Sequence, residues 1–239
     1  MSTLIEQILE AHGGLRRWNS LTKVELSIVS GGKLFDLQGQ PQDGKPRKLE
    51  IYLHEQRLSM TPYGGPDKKT NFTPERIAIE SLGGQVLSER KGSVSELHNH
   101  MQGGEWDALD RAYFNGYANW TYLATPFFMA MPGVQCSELP THPEFTGGWK
   151  AIRVNFPPEM ATHSAVQDLY FDKDLRLRRH DYLIDVAGHF HAAQYVHDYA
   201  TIDGIRLPTK RRASKRGENH QPIKEELMVH IDYSDIHYS

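Results

Sequence analysis

Apolar and polar residues alternate through most of the chain. Val24, Leu26 and Ile28 point one way, while Lys23, Glu25 and Ser27 point the other. Leu49, Ile51 and Leu53 repeat the pattern against Lys48, Glu50 and Tyr52. It returns at Ile77 and Ile79, at Ile152, Val154 and Phe156, and at Leu227, Val229, Ile231 and Tyr233. A period of two with one apolar face predicts antiparallel strands that are half covered. Turn signals punctuate them at Gly31-Gly32, Gly64-Gly65, Gly83-Gly84, Gly147-Gly148, Asp203-Gly204 and Gly217.

Two stretches break the alternation. Near the N-terminus, Leu4, Ile5, Ile8 and Leu9 form one helical stripe. Thr3 and Glu6 have capping-box spacing, and Gly13-Gly14 stops the helix. In residues 106–133, Tyr113, Tyr117, Trp120, Ala124 and Phe127 recur at helical spacing, with Gly116 inside the run and Pro126 predicted to end it near Thr125. A helix this aromatic must be covered. In a mainly β (α+β) protein it is expected to cover the concave face of a strongly curved antiparallel sheet, as a helical plug over 106–133. A curved sheet closed by one helix leaves space for a ligand cavity.

Composition narrows the picture modestly. A chain of 239 residues without a fixed-period repeat or long linker reads as one domain, 1–239. The net charge of −3 implies no field for nucleic acid. The basic run TKRRASKRG at 209–217 belongs to a stretch with ten basic and five acidic residues (173–216), but it lacks interleaved aromatics for stacking bases. No apolar run is long enough to span a bilayer. The lone Cys136 and an N-terminus without export-signal features fit a cytoplasmic protein. No phosphate-cradling glycine motif or other cofactor signature is present.

The most distinctive stretch is HDYLIDVAGHFHAAQYVHDY, residues 180–199. A two-residue turn at Ala187-Gly188 would put Arg178, His180 and Tyr182 on one face with His189, His191, Tyr195 and His197. The opposite face would carry Arg179, Asp181 and Asp185. Three chemistries compete for such a wall. The H-x-H pairs His189/His191 and His98/His100 could share a metal ion if each lies on a strand. His163 or His180 could act as general acid or base, with Tyr182 or Arg178 polarising a substrate. Alternatively, Tyr113, Tyr117, Trp120 and Phe127 could supply apolar area for a small lipophilic ligand, with His180, Tyr182, His191 and Tyr195 anchoring its polar end.

The residues also carry a resemblance. LYFDKDLRLRRHDYLIDVAGHFHAAQYVHDYATIDGIRLPTKRR, residues 169–212, resembles the C-terminal half of the LolA/LolB-like lipoprotein-carrier superfamily. The pattern is a strand, an Asp-bearing turn (Asp172 to Asp174), a leucine-rich strand, a return strand, then Asp203, Gly204, Ile205, Leu207 and Pro208. AHGGLRRW, YFNGYANWTYLATPFFMAMPG, ATHSAVQDLYFD and LRRHDY together resemble a group of uncharacterised bacterial cytosolic proteins within that superfamily. The resemblance implies an unclosed half-barrel with helices on its concave side and acyl chains or other lipophilic molecules as ligands. It implies no catalytic residue. The chain departs from the carriers in lacking an export signal and in its wealth of His and Tyr, which points to a more polar ligand. The expected partners are therefore a small lipophilic molecule and, to cover open sheet edges, a second copy in a homodimer.

Overall fold

The computed structural model describes residues 2–140 and 148–239. The predicted Gly147-Gly148 turn falls partly outside them. The chain opens with α1 (Leu4–Ala11), whose Thr3/Glu6 capping box forms as expected, and a single turn, α2 (Leu15–Trp18). It continues through β1 (Lys23–Gly31), a short helix α3 (Lys33–Leu37), β2 (Arg47–Tyr52), β3 (Arg57–Thr61), β4 (Lys68–Thr73), β5 (Arg76–Ser81) and β6 (Val86–Lys91). Two helices follow, α4 (Val94–Gln102) and α5 (Ala108–Ala124), then a 3-10 turn at Phe127–Ala130. The second run of strands is β7 (Gln135–Leu139), β8 (Lys150–Asn155), β9 (Val166–Phe171), β10 (Leu177–Ile184), β11 (Phe190–Ile202), β12 (Ile205–Arg216) and β13 (Pro222–Tyr238).

These strands form one antiparallel sheet in the order β6-β5-β4-β3-β2-β1-β13-β12-β11-β10-β9-β8-β7, and β6 and β7 do not pair. The sheet is therefore an unclosed half-barrel. Its topology explains why a helix covers it. The segment between β6 and β7 leaves one edge of the sheet and must reach the other. Laid flat, thirteen strands would span roughly 58 Å at the usual strand spacing. The 17 residues of α5 cover only about 25 Å. The two lengths are compatible when the sheet curls and the helix crosses the concave side.

The helix is set by local chemistry. Asp107 caps it, accepting from the Leu109 and Asp110 amides, while the Asp110 carboxylate reaches back to the Asp107 amide. It ends where expected: Thr125 is extended ahead of Pro126. Nearly every residue of α5 is buried, including both asparagines. Gly116 marks its closest approach to the sheet, because a Cβ there would lie 2.4 Å from the Phe72 ring on β4.

The strand patterns hold with instructive exceptions. Leu227 is exposed and Met228 is buried, because β12 and β13 slip register between Ala213 and Ser214. The β10–β11 hairpin corrects an expectation. Ile184 pairs with Phe190 and His180 with Gln194, so the loop is 185–189 and not a two-residue turn. The shift of one residue places His180 and Tyr182 on a different face from His191 and Tyr195.

Candidate functional site

The concave side carries two kinds of surface. Over β3 to β6, α5 packs closely, and the aromatics in it and just after it are fixed one by one. Trp120 donates from Nε1 to the Tyr52 carbonyl at 2.8 Å, and Tyr113 donates to the Pro74 carbonyl at 2.7 Å. Phe127 stacks on Trp18 with ring centres 4.3 Å apart. Tyr113, Trp120 and Phe127 are thus each fixed in the buried core by a partner of their own, and none of them bonds to or stacks on His180 or Tyr182.

Toward β9 to β13, long polar side chains fill the distance between helix and sheet. The Tyr122 hydroxyl lies 2.7 Å from His163 Nε2 and 2.9 Å from the Tyr182 hydroxyl. Gln194 donates to Tyr182 at 3.0 Å, and its carbonyl accepts from Arg211 at 2.8 Å. Arg211 also donates to the Tyr122 carbonyl at 2.7 Å, its guanidinium 4.6 Å from the Tyr122 ring centre. His163 stacks on Tyr182 at 4.2 Å. His180 Nε2 lies 2.6 Å from Gln167 Oε1, whose amide donates to the Ser164 carbonyl. Tyr233 donates to Asn119 across the same space.

His163 comes from a loop, and reciprocal hydrogen bonds hold that loop in place. Gln56, in the β2–β3 turn, exchanges two 2.8 Å bonds with the Ala161 backbone. Tyr117 bridges the two surfaces, with the His163 ring 5.2 Å away and the His98 ring 5.6 Å away.

Burial dominates the electrostatics. It pushes His163 down to about 3, with His98 adding to the shift, and pushes His98 down to about 4. Burial, Arg211 and His163 drive His180 well below the usual histidine range. Burial raises Tyr117, Tyr122 and Tyr182. At neutral pH the network holds neutral imidazoles, un-ionised phenols and one guanidinium. Such histidines are poor acid/base catalysts near pH 7, and His163 and His180 are 1% and 0% exposed. Several polar atoms in this region are nevertheless buried without a partner: His163 Nδ1, His180 Nδ1, His98 Nε2, Arg211 Nε and the Tyr117 hydroxyl.

The other predicted residues lie elsewhere. Arg178 sits at a register slip between Leu177 and Arg179 and pairs with Asp172 at 2.6 Å. His191 and Tyr195 join an ionic cluster on the convex face. There Arg179 pairs with Asp181 and contacts the Tyr195 hydroxyl, while Arg216 bridges Asp181 and His191. His98 and His100 are on α4, not on a strand, and point apart: His98 toward Tyr113 and Tyr117, His100 toward Asp110. His189 is in the hairpin loop beside Asp185. Among the described residues no group of three or more potential metal ligands gathers. The basic run is largely neutralised, with Lys210, Arg212, Lys215 and Arg216 each facing a carboxylate. A depression of about 690 Å³ opens on the convex face among Glu25, Ser27, Lys48, Glu50, Lys69 and His237, a polar setting unlike the expected apolar cavity.

Tyr122, Gln167, Gln194 and Arg211 belong to the network but were not foreseen from sequence. Gln194 follows from the corrected hairpin register. For Gln167 and Arg211 the signal was a polar residue at a core-facing strand position, whereas Tyr122, on α5, carried none.

No family model matches the chain, and no curated protein does. Solved structures do. A DUF1329 family protein from Desulfovibrio piger aligns over 98% of this chain and 91% of its own, with a TM-score of 0.52 and 12% identity. A LolA superfamily protein from Nitrosomonas europaea aligns over 98% and 93%, with a TM-score of 0.54 and 11% identity. At such identities the likeness is one of architecture. Together with the unclosed sheet and the helix across its concave side, it gives this chain a LolA-like fold.

Proposed function

We propose that the protein binds a small lipophilic molecule between α5 and the concave face of the half-barrel. The observation that carries this reading is the division of that face. One side is buried aromatic packing that includes Tyr113, Trp120 and Phe127, and the other holds a buried polar network with unmet hydrogen-bonding capacity around Tyr117, His163, His180 and Tyr182. A chain would lie along the first and a polar head would meet the second. The LolA-like fold supports the reading, as does the sequence resemblance to carriers of acyl chains.

In this conformation the side chains of α5 fill the space, so entry of a ligand requires that some of them swing aside. The helix backbone lies close over β3 to β6 but reaches β10 to β12 mainly through side chains, so the network side is the easier one to open. His191 and Tyr195, on the convex face, are not part of the proposed lining. The reading includes a cytoplasmic location, consistent with the free thiol of Cys136, and a homodimer that covers the β6 or β7 edge.

Native mass spectrometry of the untagged protein as purified tests the reading. A mass excess of a few hundred daltons that disappears on denaturation is the expected result. Absence of any excess, together with failure to take up added acyl compounds, would refute it.

A further inference from the structure

We infer that the ligand of this site is a lipophilic anion, a long-chain carboxylate, and that Arg211 is its counter-charge. The inference rests on the proposed lipophile-binding function and names the chemistry of the head group.

Arg211 is 1% exposed, with a carbonyl, an amide oxygen and an aromatic face as its partners. All three are neutral. Among the described residues no carboxylate pairs with it. The contrast with its own strand is sharp: Lys210 faces Asp198 at 2.6 Å, Arg212 faces Asp232 at 2.7 Å, Lys215 faces Glu226 at 2.9 Å and Arg216 faces Asp181 at 2.8 Å. Each of these cations has a carboxylate partner, yet the most deeply buried one does not. A buried charge is ordinarily paired, because desolvation costs several kcal/mol per ion. A neutral donor could make both hydrogen bonds to Gln194 and Tyr122. The positive charge itself is met only by the face of the Tyr122 ring, 4.6 Å away, whereas an incoming anion would compensate it in full.

The rest of the site fits such a head group. Arg211 Nε has no partner, and with the adjacent Nη it forms the edge of a guanidinium that grips a carboxylate at two points. Farther along the network, beside His163, the Tyr117 hydroxyl is another donor without an acceptor. With His163 and His180 held neutral, the network offers one positive charge and neutral donors. That supply suits a monoanion. A phosphate dianion would call for more than one cation.

Calorimetric titration of the full chain at neutral pH with dodecanoate, dodecan-1-ol and dodecylamine tests the inference. Dodecanoate should bind about tenfold to a hundredfold more tightly than the alcohol, and the amine more weakly than either. In Arg211→Met the ratio of acid to alcohol should fall toward one. Equal affinity for acid and alcohol in the wild type, a preference for the amine, or an undiminished ratio in folded Arg211→Met would overturn the inference while leaving lipophile binding intact. Binding of none of the three would overturn both. The wild-type comparison stands even if the variant does not fold.

Discussion

Tyr122 meets three demands at once. Its hydroxyl serves His163 and Tyr182, its carbonyl receives Arg211, and its ring lies under the guanidinium. Tyr122→Phe keeps the ring and carbonyl but strips His163 Nε2 of its partner. His163 Nδ1 already lacks one, so the imidazole would be buried with both nitrogens unmet. The expected cost is about 1–3 kcal/mol of stability, read from the urea midpoint. An unchanged midpoint would show that the network contributes little to the folded state. At this scale the sequence was partly legible. His180, Tyr182 and His163 were singled out and the structure brings them together. Arg211 was hidden because it sits in a run of cations, and only the pairing of β11 with β12 tells that it points inward while its neighbours meet carboxylates. Tyr122 was not among the aromatics singled out on α5.

The helix α5 was readable because its cap, its spacing and its stop at Pro126 are all local signals. What sequence does not reveal is the role of Gly116. It looks like a weak point in a helix, yet it is where the helix meets Phe72. Gly116→Ala should gain about 1 kcal/mol in helix propensity and lose more to overpacking, typically 1–3 kcal/mol and more where backbone must move. A lower melting temperature is expected, and a stabilised variant would contradict the close packing. The β10–β11 hairpin shows the opposite limit. Its strands were evident, but the loop conformation that includes Gly188 and His189, both at positive φ, decides the register. One residue of slip exchanges the faces, and composition cannot reveal it. The α4 helix was missed although Ser93 and Glu96 form a capping box, because His98 and His100 read as a strand pair.

For the molecule as a whole, the buried histidines set a dependence on acid. Burial lowers His12 and His98 to about 4 and His163 to about 3, and lowers His180 well below its usual range. An unfolded histidine binds its proton near pH 6.5. Above that pH both states leave these groups neutral and stability is unaffected. Below it the unfolded chain takes up protons that the folded chain refuses, so stability falls as pH falls, until the folded values are reached. Each histidine contributes about 1.4 kcal/mol per pH unit. Four together amount to about 5 kcal/mol per unit, against a usual total of 5–15 kcal/mol. Urea midpoints measured from pH 7 to 5 should drop steeply, and His163→Asn should make the drop shallower. A flat profile would mean that these rings are solvated in the native state. The global architecture was the best-read level, because alternation over so many segments admits few arrangements and one aromatic helix must be covered by the sheet.

Val24 pairs with Tyr238, and β1 lies beside β13 in the middle of the sheet. All other strand pairings join neighbours in the chain. The protein is thus two meanders, each able to zip from local hairpins, joined along a single seam whose partners are almost the full chain length apart. Closing that seam demands the largest loss of chain freedom, so it should form late and limit the folding rate. Until it closes, each meander exposes an unpaired strand at what will become the centre of the sheet. The stretch that ends up among the most protected in the native protein is, on the way there, the one most open to pairing with another molecule.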